Sequence, residues 1–176
     1  MYLCTYVKTR PARPPRLRHT GGMTFARLAP LFAAVLFAAP ALAAPIYPPV
    51  SGAEADIRAG IADAAKTHRR VLLDFGGNWC TDCKVLDAYM RRPENAAILE
   101  SRFTVVHVNV GDKGITDNFE VASRYGIPLE KGVPALAVLD GEGHVLYSQK
   151  AGEFESMRSM SPQSVNDFLV KWQGPK

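Results

Sequence analysis

Cys80 and Cys83 are two thiols three positions apart, close enough along the chain for their sulfurs to meet. Sulfurs so placed can alternate between dithiol and disulfide, or can supply half of a tetrahedral zinc site. Zinc needs two further ligands. No second cysteine pair is present, and His68, His107 and His144 are scattered, so only the fold could gather them. No metal is therefore assigned. A purely structural bridge is also a poor reading, because closing so short a loop adds little loop-closure stabilisation. Redox chemistry is the better account of the pair.

Where these thiols work depends on the segment ahead of them. Residues 1–43 hold six of the 21 Lys and Arg and no Asp or Glu, leaving 15 basic against 17 acidic residues in the remainder. The formal charge of +4 belongs to that segment, and the rest of the chain is mildly acidic. Nucleic acid is excluded as a partner. Arg27 as a small positive region, Leu28 to Ala39 as an apolar stretch and Ala41-Leu42-Ala43 as a small-residue signal read as a secretory leader spanning 23–43. Cleavage is expected between Ala43 and Ala44, since cutting one residue later would leave Pro45 directly after the scissile bond. Residues 1–22, rich in Arg and Pro, read as translated from a start upstream of Met23. The apolar run is too short for a membrane span and contains Pro30 and Pro40, so no stable membrane insertion is expected after cleavage. Export would place the protein where disulfides persist, which in a bacterium is the periplasm. Cys4 departs with the leader, and the mature chain keeps Cys80 and Cys83 alone.

The elements that must position the pair are legible as a compact α/β domain over 53–176, preceded by a Pro-containing extended arm at 44–52. Ile57, Ile61 and Ala64 or Ala65 recur at helical spacing from Ala53 to Thr67. Val71 to Phe75 is a near-continuous apolar run, expected as a central strand buried on both faces. A turn at Gly76-Gly77-Asn78 leads into a helix from Cys80 that carries Val85, Leu86, Tyr89 and Met90 inward. Pro93 breaks it, and helix resumes at 95–101. Phe103 to Val110 is a second strand and Asp117 to Tyr125 a third helix. Pro134 to Leu139 and His144 to Ser148 flank Asp140-Gly141-Glu142-Gly143 as a hairpin. A last helix runs from Ser161, as N-cap, to Trp172. The order α-β-α-β-α-β-β-α predicts a mixed central sheet flanked by helices.

The segment Asp74-Phe75-Gly76-Gly77-Asn78-Trp79-Cys80-Thr81-Asp82-Cys83-Lys84 resembles the active-site segment of the thioredoxin superfamily. The similarity extends to Trp172 through Tyr125-Gly126-Ile127 and Gly132-Val133-Pro134. Among subfamilies it is most similar to periplasmic thioredoxin-like domains, including the C-terminal domain of the transmembrane disulfide reductase of the bacterial Dsb system. The resemblance implies a thioredoxin-like fold and thiol:disulfide oxidoreductase activity on protein thiols and disulfides, coupled to a redox partner protein. The redox-active disulfide serves in place of any organic cofactor.

That resemblance also assigns roles. Cys80, at a helix N-terminus where unpaired amides and the macrodipole favour a thiolate, attacks, and Cys83 resolves. Asp74 matches the buried aspartate that takes the resolving thiol's proton; the alternative is a strand-end carboxylate that caps a turn or binds Lys84. Pro134 matches the cis-proline opposite the dithiol, leaving Val133 backbone groups free to pair with an extended substrate. Trp79 either shields the dithiol or packs the loop. His107 stands near that aspartate, where thioredoxins often carry lysine, and reads as a satisfied strand histidine.

Two features depart from thioredoxin: Thr81-Asp82 replaces Gly-Pro, and segments at 129–131 and 154–160 are inserted where they could border the substrate groove. Asp82 should disfavour the Cys80 thiolate and favour a reducing couple, opposed by Lys84. A reductase or electron relay is the expected direction. A different function for the same cysteines is Cu(I) carriage, with Met90, Met157 and Met160 as further soft donors.

Overall fold

The computed structural model of the protein describes residues 44–174. The expected leader, its cleavage signal and Cys4 lie outside the described residues. The first strand, β1 (Arg70–Gly76), is the run that read as doubly buried, and Val71, Leu72, Leu73 and Phe75 are all wholly inaccessible. Successive side chains of a strand face opposite ways, so Val71, Leu73 and Phe75 enter one apolar cluster and Leu72 the other.

Around β1 the sheet is ordered β2-β1-β3-β4, with β2 (Phe103–Asn109), β3 (Ala135–Leu139) and β4 (Val145–Ser148). β2 runs parallel to β1, whereas β3 and β4 form an antiparallel hairpin on its other side. The register sets Asp74 beside His107 of β2 and Leu136 of β3. Helices α1 (Ala53–Thr67) and α4 (Phe119–Arg124) supply Ile57, Ala64, Val121 and Ala122 to one face. On the other face α2 (Thr81–Met90), α3 (Pro93–Arg102) and α5 (Pro162–Trp172) supply Leu86, Met90, Leu99, Val165 and Leu169. This is the mixed, helix-covered sheet expected from the sequence, in the expected element order.

Several boundaries differ for local reasons. β3 begins after Pro134, whose missing amide hydrogen cannot join the ladder. α4 starts at Phe119 because Asn118 adopts a left-handed φ of 58°, outside helical space. Ser161 holds the N-cap position of α5, yet its hydroxyl meets Ser164 Oγ at 3.3 Å and caps no amide. The largest difference is the arm. It makes a 3-10 turn at Val50–Gly52, and Tyr47, three residues earlier, is 1% exposed in the core instead of lying over the surface.

Candidate active site

The turn Gly77–Cys80 is closed by a hydrogen bond from the Cys80 amide to the Gly77 carbonyl at 3.0 Å, which delivers Cys80 to the N-cap of α2. There its Sγ accepts the Cys83 amide hydrogen at 3.1 Å, the position a capping oxygen usually fills. The cysteines are joined as a disulfide with Cα atoms 5.3 Å apart. They are unequal. Cys80 is 6% exposed and Cys83 has no exposure at all. A helix N-terminus stabilises negative charge on the sulfur that caps it.

Opposite Cys80 stands Val133, whose carbonyl oxygen lies 3.6 Å from Cys80 Sγ. Gly132 ahead of it has φ 98°, a conformation that side chains resist, and the Val133–Pro134 peptide bond is cis. Buried Gln149 braces this corner: its Oε1 accepts from the Leu136 amide at 3.3 Å and its Nε2 donates to the Pro134 carbonyl at 3.4 Å. Trp79 is half-buried, and its indole N–H donates to the Gly111 carbonyl at 2.7 Å, which ties the turn ahead of Cys80 to the loop after β2. The ring folds over Gly77, where a Cβ would collide with it.

Asp74 is 1% exposed, in the middle of β1 rather than at its end. Its partners are not Lys84 but two groups on one oxygen: the Tyr47 hydroxyl donates to Oδ2 at 2.8 Å, and His107 Nδ1 lies 2.9 Å from the same atom. Asp74 Oδ1 is buried with no hydrogen-bond partner in the protein. The Tyr47 and His107 rings meet edge to face, with centroids 5.3 Å apart. Burial, then the nearby Asp74 charge, pushes the Tyr47 phenol far above its ordinary range, so it stays a donor. For His107 burial works against the charged ring, but the hydrogen bond and charge of Asp74 outweigh it and raise its pKa. Gly76 closes the assembly, since a Cβ there would strike both Tyr47 Oη and Cys83 Sγ.

The inserted segment reaches the dithiol motif. Arg158, in the 3-10 turn Met157–Ser159, donates its backbone amide to Asp82 Oδ1 at 2.9 Å and its guanidinium to Oδ2 at 3.1 Å. Burial of Asp82 raises its pKa, but the backbone and side-chain bonds from Arg158 prevail and hold the carboxyl below the ordinary range.

Sequence reasoning thus gathered Cys80, Cys83, Asp74, Val133 and Pro134 into one region and put His107 near Asp74 without pairing the two. It missed Tyr47 and Arg158. Neither had a signal, since one sits among prolines and the other in a loop without periodicity. Met90 and Met157 are buried in the cluster built around Leu72 and Leu136, separate from the cluster that contains the cysteines. Among the described residues, the grouping able to offer three metal-ligating atoms is Asp140, Glu142 and His144 at the exposed hairpin turn, without either cysteine.

Residues 52–141 match the family model described as thioredoxin-like. The disulphide isomerase from Xylella fastidiosa Temecula1 is 37% identical, with a TM-score of 0.68 over 73% of this chain and 96% of that one. The reduced C-terminal domain of Neisseria meningitidis DsbD is 21% identical, covers 68% of this chain and 96% of that chain, and gives a TM-score of 0.49. A Thermus thermophilus thioredoxin gives 21% identity, 65% and 84% coverage, and a TM-score of 0.44. No curated protein matches the chain significantly. The fold and the paired cysteines define a thioredoxin-like protein, and the chain belongs to the thioredoxin-like family. Members of that family are generally thiol:disulfide oxidoreductases. Among the described residues, no helix is long and apolar enough to cross a membrane.

Proposed function

We propose that the chain is an exported thiol:disulfide oxidoreductase that exchanges disulfides with protein substrates through Cys80 and Cys83, working as a reductase or electron relay. The observation that carries this reading is the N-capping sulfur of Cys80, bonded to the Cys83 amide ahead of a wholly buried Cys83. As a thiolate, Cys80 attacks a substrate disulfide, forms a mixed disulfide and releases one substrate thiolate. Cys83 then attacks the Cys80 sulfur, so that the Cys80–Cys83 disulfide forms and the second substrate sulfur leaves. Asp74 accepts the Cys83 proton. Val133 offers backbone groups to an extended substrate beside Pro134, and Trp79 fixes the rim of the site. A redox partner protein restores the dithiol, and no organic cofactor takes part.

Export through removal of residues 1–43 completes the proposal: it would leave the arm and the 53–176 domain with two cysteines, in the periplasm. Sequencing the mature N-terminus should return Ala44. Trapping tests the exchange itself. Cys83→Ser should leave Cys80 joined to substrate proteins in mixed disulfides that reductant releases, and Cys80→Ser should abolish insulin reduction. Recovery of no thiol-linked partner under oxidising conditions would sink the reading. The Xylella relative is described as a disulphide isomerase, which favours isomerisation as a second direction for the same exchange. Comparing insulin reduction with re-sorting of a scrambled disulfide protein separates the two.

A further inference from the structure

Once Cys83 gives up its proton inside a closed core, that proton needs a way out. Cys83 has no exposure and Asp74 only 1%, so neither can exchange protons directly with water. Tyr47 is equally buried and its phenol is locked in the protonated form. Of the two side chains bonded to Asp74 Oδ2, His107 alone reaches solvent, with its side chain 26% exposed while Nδ1 holds the carboxylate. The two carboxylate oxygens are also unequal. Oδ2 is occupied by Tyr47 and His107, and Oδ1 is a buried acceptor with nothing in the protein to accept from. A buried acceptor left unmet is costly, and Oδ1 is the oxygen free to take a proton.

We propose that Asp74 and His107 form one proton conduit, in which Asp74 Oδ1 takes the proton of Cys83 and His107 discharges a proton to water. The proposal rests on the exchange reading given above. Before resolution the pair is carboxylate and imidazolium. As the Cys83 sulfur attacks Cys80, its proton bonds to Asp74 Oδ1, the Cys80–substrate bond breaks, and the substrate leaves as thiolate. The imidazolium, having lost its counter-charge, releases a proton to water from Nε2. One proton has then left Cys83 and one has entered solvent, and the carboxylic acid and neutral imidazole persist until the dithiol is restored, when Asp74 returns its proton to Cys83 and His107 takes one up from water. Tyr47 is a positioning residue that holds Oδ2 so that Oδ1 remains the free oxygen. Asp87 of α2 and Arg91 at its C-cap also act on the His107 ring, and Asp87 acts on Tyr47; both are kept in every variant below.

The test mixes the reduced protein with equimolar dithiobis(nitrobenzoic acid) and follows the two releases of nitrothiobenzoate by stopped-flow absorbance. The first release reports attack by Cys80 and the second reports resolution by Cys83. In His107→Phe the second phase should slow roughly ten-fold or more near neutral pH while the first stays within about two-fold. Its pH profile should shift as well, losing the limb that His107 supplies. His107→Lys, which restores an exchangeable cation, should recover most of the rate. His107→Gln should behave as His107→Phe does and keeps the test open should the larger ring impair folding. A second phase with unaltered rate and pH profile in both variants would overturn the conduit alone. Equal loss in all three variants without a shifted profile would also overturn it, assigning His107 a packing role. Absence of the second phase in the unaltered protein would instead overturn the exchange reading.

Discussion

The carboxylate of Asp82, immediately before Cys83 in the chain, accepts two N–H groups from Arg158, the backbone amide and Nε–H, with Nη2 3.1 Å away completing the ion pair. From sequence Asp82 was expected to disfavour the Cys80 thiolate, and the structure supplies the charge that offsets it from 76 residues away. Arg158→Ala should uncover that charge. An exposed ion pair is worth about 0.2–1 kcal/mol, so the Cys80 thiolate fraction near neutral pH should fall by up to about five-fold. Alkylation of the reduced protein by iodoacetamide measures this, and Asp82→Asn in the same background should restore the rate. If Arg158→Ala alkylated as fast as the unaltered protein, no such balance would operate. The pH sign follows from the lowered folded value of Asp82. The contribution of the pair to stability is complete above the unfolded carboxyl value of about 3.9 and fades as pH falls through the folded one.

Among elements, α2 is gripped at its N-terminus from two sides. On one side Phe154 and Met157 are 5% and 0% exposed in the second cluster, and this anchorage presents Arg158 to Asp82. On the other the arm turns Tyr47 inward, and the Asn78 side chain fixes its backbone by accepting the Tyr47 amide at 3.1 Å and donating to the Tyr47 carbonyl at 2.8 Å. An arm so bound belongs to the core. Tyr47→Phe keeps the ring and removes the donor to buried Asp74, which should destabilise the protein by about 1–3 kcal/mol. Tyr47→Ala also opens a cavity and should cost about 3–5 kcal/mol. Urea denaturation checks both, and two variants of equal stability would show that the ring and its hydroxyl contribute nothing here.

At the scale of the whole molecule, redox state and folding stability are linked. Closing a four-residue loop should stabilise the oxidised form over the reduced by about 2 kcal/mol of chain entropy, the low end of what disulfides contribute. Urea midpoints with and without reductant give that difference, and a reduced form as stable as the oxidised one would contradict it. Much of this architecture was legible in sequence because it is local. The apolar run of β1, the hairpin around Asp140-Gly141-Glu142-Gly143 and the cysteines opening α2 each announce themselves within a few residues. What was not legible depends on pairings distant along the chain: Asp74 meets Tyr47 across 27 residues and His107 across 33. The pairing of Asp74 with His107 needs the β1–β2 register, which composition alone does not set. Tyr47 needed the path of an arm whose prolines read as surface. The family match begins at residue 52, beyond that arm. A recombinant domain begun where the match begins and run to the end of the chain would keep both cysteines and all four strands, yet its buried carboxylate would lose the phenol that orients it. Activity measured on such a truncation would describe a different acid, and the functional boundary of the protein therefore lies ahead of Tyr47, inside what sequence similarity treats as dispensable.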